Sequence, residues 1–174
     1  MKISGAFLVT ALLAVLGTAS GQSASPSIPQ PVTSLAISAL QDSVKVGSQV
    51  RIKVTLTNNS DHDLKFFRDD RGRDCGLDVR DVSGTLAPDT HLGYLLNGHV
   101  AKVDETRVSP EDLKGNSVVS TVKAGETLAW QMNVSSRYDM SKPGSYSIQV
   151  QRQDPGMILG LALKSNKITV TVTP

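Results

Sequence analysis

Val50, Ile52, Val54 and Leu56 alternate with Arg51, Lys53, Thr55 and Thr57. A period of two sends four apolar side chains to one side of an extended chain and the polar ones to the other. This is the pattern of a strand buried on one face, as in a sandwich of antiparallel sheets, rather than of a parallel strand buried on both. The same period returns at Leu35, Ile37 and Ala39, at Leu77 and Val79, and at Leu128, Trp130, Met132 and Val134. It returns again at Tyr146, Ile148 and Val150, and at Ile168, Val170 and Val172. Shorter extended runs are expected over residues 64–68 and 118–122.

Turn chemistry separates these runs. Gly47 follows Val44-Lys45-Val46, and Asn58-Asn59-Ser60-Asp61, Ser83-Gly84, Ala124-Gly125-Glu126 and Pro143-Gly144 end or join strands. No amphipathic helix of useful length interrupts them. Residues 85–116 are irregular, with one helical turn expected at Ser109-Pro110-Glu111-Asp112, where Ser109 caps and Asp112 closes the box. The pattern predicts an all-β, immunoglobulin-like β-sandwich of about seven to eight antiparallel strands. Val54, Leu56, Trp130, Tyr146, Ile148 and Val170 are expected in the core, with Trp130 as its largest plug. Lys53, Thr55, Gln149 and Thr169 are expected to face outward.

The N-terminus changes the picture of where this domain works. Lys2 precedes an apolar run over residues 6–16, followed by Gly17, Thr18, Ala19, Ser20 and Gly21. The run is short for a bilayer span and ends in small residues, which predicts a signal peptide over 1–21, cut between Ala19 and Gln22. No cysteine follows it, so a lipoprotein signal is not expected. Residues 22–31, rich in Ser, Gln and Pro, read as a flexible spacer. Residues 32–174 form the sandwich domain, and the chain is expected to be secreted or periplasmic.

Eighteen Lys and Arg against sixteen Asp and Glu give a formal charge of +2. That balance argues against a nucleic-acid partner or an anionic membrane surface. Cys75 is the only cysteine, so no internal disulfide exists and the β core carries the stability. It sits in a polar, glycine-containing stretch with no CxxC and no neighbouring His, and reads as a passenger thiol.

Candidate chemistry is sparse. His62, His91 and His99 lack zinc-site spacing, so no metal site is expected. The acids at 61, 63, 69, 70, 74, 78 and 81 are interleaved with Arg68, Arg71, Arg73 and Arg80 and miss the calcium-loop pattern. There is no Gly-x-Ser-x-Gly elbow. No catalytic, cofactor-binding or metal-binding residue is expected, and the chain does not read as an enzyme.

Two segments stand out as partner-binding candidates. After Asp154-Pro155-Gly156 come Met157, Ile158, Leu159, Leu161 and Leu163, either an exposed apolar loop or an arm packed on the domain. The second is Leu92-Gly93-Tyr94-Leu95-Leu96-Asn97-Gly98-His99, either a hairpin covering a sandwich edge or a recognition loop anchored by Tyr94.

Pro143-Gly144-Ser145-Tyr146-Ser147-Ile148-Gln149-Val150, with Val54-Thr55-Leu56-Thr57-Asn58-Asn59-Ser60 and Ala124-Gly125-Glu126-Thr127-Leu128, resembles the BsuPI-type bacterial proteinase-inhibitor family over residues 50–150. The export signal and the long segment 85–116 depart from it. The resemblance implies an immunoglobulin-like fold. Tyr146 lies where a corner tyrosine would hydrogen-bond to nearby backbone, and Ile148 takes the place of a disulfide cysteine. Two functions remain: an exported non-enzymatic module that binds another protein through loops or a sheet edge, or a proteinase inhibitor acting through an exposed loop.

Overall fold

The structure is a computed structural model that describes residues 32–69, 72, 74–97, 115–153 and 162–174. The expected signal peptide, spacer and helical turn at 109–112 lie outside the described residues. The alternating runs appear as ten strands among the described residues. In chain order they are β1 (Thr33–Ala39), β2 (Ser43–Lys45), β3 (Arg51–Asn58), β4 (Leu64–Asp69) and β5 (Gly76–Arg80). Then follow β6 (Ser117–Val122), β7 (Thr127–Asn133), β8 (Gly144–Gln153), β9 (Ala162–Lys164) and β10 (Ile168–Thr173). Among the described residues, one α-helix, α1 (His91–Leu96), lies between β5 and β6.

β3 is the centre of one sheet, ordered β1-β3-β7, and β8 is central in the other, ordered β2-β10-β8-β5, with β9 also on β8. Partners across an antiparallel pair share a face. The register sets Ile37, Val54 and Trp130 in one row and Val79, Ile148 and Ile168 in another. These rows turn inward from opposite layers of an immunoglobulin-like sandwich: Ile37, Val54, Val79 and Ile148 belong to its core, and Trp130 and Ile168 pack against it, partly buried. Val50, Ile52, Val54 and Leu56 are all buried, as their spacing predicts.

The chain changes sheets between β1 and β2. β2 then runs parallel to β10, with Val44 beside Val172, so the expected all-antiparallel pairing has one exception. A parallel pair is possible here because β2 and β10 are remote in sequence and need no hairpin. A separate two-stranded ribbon, β4-β6, closes one side of the sandwich. It delivers Phe66, the largest fully buried side chain among the described residues.

Trp130 is corrected from central plug to half-buried residue packed against the core. Its strand, β7, lies at the edge of its sheet, so among the described strands β3 alone flanks it. Phe66 shields its inner side, ring centroids 5.7 Å apart. Lys53 and Thr169 are exposed, whereas Thr55 and Gln149 are partly covered because they sit on the central strands β3 and β8.

Two turns show why their residues are there. Gly144 opens β8 at φ 152°, and the Tyr146 hydroxyl donates to the Lys142 carbonyl at 2.9 Å, the corner geometry expected for this tyrosine. Asn58 is fully buried at the end of β3. Its amide donates to the carbonyls of His62 and Val122, and its oxygen accepts from Ser60, so one side chain binds β3, the following turn and β6 together.

Candidate functional site

Of the partner-binding candidates, Met157, Ile158, Leu159 and Leu161 lie outside the described residues. Leu163 is corrected to the core: it is 5% exposed and points inward from β9, between exposed Ala162 and Lys164. Tyr94 is partly buried and lies on α1, not on a hairpin. Thr90 caps this helix by accepting the Gly93 N–H at 3.0 Å, and its own hydroxyl donates to the Ser136 carbonyl. Gly93 is buried against the Arg137 carbonyl. A Cβ there would stand 1.7 Å from that oxygen, so only glycine lets α1 dock so closely.

Cys75 is also corrected. It is 1% exposed and part of the core, not a passenger in a polar loop. The cause is Arg152 on β8, which is itself buried. Arg152 pairs with the Asp74 carboxylate, donates to the Phe67 carbonyl, and lies over the Phe66 ring. Asp74 also accepts the Asp69 N–H. These contacts fold the stretch around Cys75 down onto the sandwich. Burial, helped by the Asp74 charge, pushes the Cys75 thiol up to about 11, against the opposing pull of Arg152. At neutral pH it is therefore a protonated, enclosed thiol and not a nucleophile.

A second buried arginine, Arg137, holds the same end of the molecule. Its Nη1 donates to the carbonyls of Gly72 and Cys75, 3.0 Å each, and its Nη2 to the side-chain oxygen of Asn97. Asn97 in turn donates to Asp89 at 2.6 Å, and the Tyr138 hydroxyl donates to the Leu77 carbonyl at 2.7 Å. This network fastens α1, the stretch around Cys75 and the 3₁₀ turn Val134–Ser136 to one another. Its chemistry is structural: among the described residues, every acceptor of Arg137 is a neutral oxygen.

Two clefts flank Arg137. One, of about 440 Å³, lies over the outer face of β5, β8 and β9. The other, of about 520 Å³, runs along β7, where the consecutive residues Trp130, Gln131, Met132 and Asn133 form one wall and Arg68 and Asp69 belong to the other. The register shows what the β7 wall offers. Asn58 N–H donates to the Glu126 carbonyl and Val134 N–H to the Val50 carbonyl, so even-numbered residues of β7 bond to β3. The N–H and C=O of Ala129 and Gln131 therefore point away from the sheet, and both residues are exposed. Among the described residues, β7 pairs with no other strand. The Asn133 carbonyl is taken by the Ser136 hydroxyl at 2.7 Å, which ends the open edge.

The edge of β1, by contrast, is occupied: Asn166 exchanges two hydrogen bonds with the backbone of Ile37. Sequence reasoning missed the β7 cleft, because period-two alternation does not say which strand ends a sheet. Among the described residues no group of three or more His, Cys, Asp or Glu could hold a metal ion, and no helix is long and apolar enough to cross a membrane.

No protein-family model matches the chain, and no curated protein matches it. Solved structures similar to it include the Pseudomonas fluorescens alkylpurine DNA glycosylase AlkC, at 10% identity and a TM-score of 0.41, over 83% of this chain and 31% of that one. The β-glucosidase EmGH1 from Erythrobacter marinus is similar at 11% identity and a TM-score of 0.42, over 82% of this chain and 16% of that one. The sporulation control protein Spo0M from Bacillus subtilis is similar at 9% identity and a TM-score of 0.40, over 82% of this chain and 50% of that one. This chain spans no more than half the length of each of these three proteins, and the likenesses say nothing of its activity.

Proposed function

We propose that this protein is an exported, non-enzymatic interaction module that receives an extended segment of another protein along β7. The observation that supports this reading is the backbone of Ala129 and Gln131, unpaired among the described residues, beside the cleft walled by Trp130 and Met132. An added strand gains main-chain hydrogen bonds from such an edge and specificity from alternate side chains that enter pockets. The Trp130 ring suits an apolar side chain. Arg68, partly exposed on the opposite wall and without an ion-pair partner among the described residues, suits an acidic one.

The test is peptide selection from a displayed library against the full chain. Selected peptides are expected to combine an apolar and an acidic residue and to slow hydrogen exchange at Ala129 and Gln131. Gln131→Pro removes one outward N–H at an edge position that tolerates proline, and is expected to weaken peptide binding roughly tenfold or more with little change in melting temperature. Peptides that protect other amides, or that bind the proline variant equally well, overturn the reading. Export itself rests on residues 1–21, and the N-terminus of protein recovered from the cell envelope tests it: a start close to Gln22 supports export with cleavage, and a retained Met1 overturns it.

A further inference from the structure

The two buried arginines differ in one respect. Arg152 faces the Asp74 carboxylate, whereas Arg137, 3% exposed, has no carboxylate within ion-pair distance among the described residues; the Nε–H of both is buried without a hydrogen-bond partner among them. Asp89 and Asp74 act on Arg137 only from beyond that distance, and a buried cation with no directly paired carboxylate is costly and favours a further anion nearby. Arg137 lies on the wall of the 440 Å³ cleft, whose lining adds Arg80 and Lys164 and only one carboxylate, Asp78. That carboxylate is already engaged by Arg80 at 2.9 Å.

The cleft is shaped by a gap in the sheet face. Lys164, Gln151 and Gly76 form one cross-strand row over β9, β8 and β5, and the glycine contributes no side chain to it. The Gln151 side chain leans into that space: a Cβ on Gly76 would come 2.9 Å from its Cγ. Lys164 and Gln151 thus stand side by side in the register, and both line the cleft together with Arg137 and Asn97.

We propose that this cleft binds a small anion, a ligand bearing a carboxylate or phosphate group. The anion's charge offsets Arg137 through the cleft wall, while Lys164 and Gln151 make the direct contacts. This site is separate from the β7 edge, and either can fail without the other.

The test uses the full chain with two probes, glucuronate and inorganic phosphate. Glucose and chloride at matched ionic strength serve as controls. A saturable rise in melting temperature with either anion, with chemical-shift changes at the Gln151 and Lys164 amides, is the expected result. A response to phosphate alone or to glucuronate alone identifies which anionic group the cleft takes. Lys164→Glu is expected to weaken the response roughly fivefold or more by reversing the charge at the mouth. Gln151→Glu supplies a counter-charge from within the chain, and is expected to raise the melting temperature and abolish the response. No saturable response beyond that of chloride, or a response unchanged in both variants, overturns the proposal.

Discussion

The guanidinium of Arg152 lies over the ring of Phe66, 3.8 Å from its centroid, and thereby joins two strands that share no hydrogen-bonded ladder. Phe66 belongs to the β4-β6 ribbon and Arg152 to the main sheet through β8. A cation held against an aromatic face away from water contributes about 2 kcal/mol. The same guanidinium neutralises Asp74 and donates to the Phe67 carbonyl, so one side chain locks the ribbon to the sandwich and covers Cys75 on the way.

Arg152→Met is expected to cost about 3–5 kcal/mol, because it leaves the Asp74 carboxylate enclosed without its counter-charge. Replacing both partners, Arg152→Met with Asp74→Leu, should recover at least about half of that loss. Urea denaturation of the two single variants and the double variant measures the coupling directly. Additive losses would mean that the pair does not act as a unit.

The Cys75 thiol gives a pH-dependent contribution with a defined sign. Its value is raised from 9.0 to about 11 by burial, so the folded state holds the proton more tightly than the unfolded state. The corresponding stability is fully present below about pH 9 and is lost as the pH rises to about 11. The full loss is roughly 2–3 kcal/mol. Tyr138 and Tyr146, both raised by burial, push in the same direction at high pH. The slope that disappears in Cys75→Ala isolates the thiol's share. Alkylation of the folded protein at neutral pH should be slow and should become fast in denaturant.

Much of the sandwich was legible because it rests on local chemistry. The alternation at residues 50–56 fixes which side chains of β3 turn inward, and Pro143-Gly144 before Tyr146 fixes the corner. What was not legible depends on partners remote in sequence. Asp74-Cys75-Gly76 reads as a polar loop, and its burial comes from an arginine 77 residues away. Trp130 reads like any inward residue, and its half exposure comes from the edge position of β7. The helix α1 was hidden because Gly93 lowers helix propensity, while its reason, close approach to Arg137, exists only in the folded chain.

Gly93→Ala tests that approach. The added methyl cannot share space with the Arg137 carbonyl, so α1 must lift or the turn Val134–Ser136 must shift. A loss of about 1–3 kcal/mol is expected, as for other overpacked positions. Hydrogen exchange should quicken at Thr90, whose N–H donates to the Arg137 carbonyl at 3.0 Å, while the β3 amides stay protected. An alanine variant with unchanged stability and unchanged exchange at Thr90 would show that the helix does not need this contact.

Phe66 and Trp130 pack against each other but differ in burial. Side-chain size alone ranks the tryptophan as the costlier residue to lose. Burial reverses the order. Phe66 is 0% exposed and lies beneath Arg152, whereas Trp130 is half-buried at a sheet edge and already meets solvent on one side. Phe66→Ala removes a full aromatic burial and the cation contact together, for about 3–5 kcal/mol. Trp130→Ala removes a partly solvated ring whose cavity opens into the β7 cleft and fills with water, for about 2 kcal/mol. The two variants should also separate in function. Phe66→Ala should lower the melting temperature and leave the peptide affinity of the remaining folded protein nearly unchanged, because its side chain does not line the cleft. Trp130→Ala should lower that affinity more than it lowers stability. Equilibrium unfolding and peptide titration of both variants decide the matter. A tryptophan variant that is the less stable of the two and binds peptide normally would return Trp130 to the core and remove it from the site.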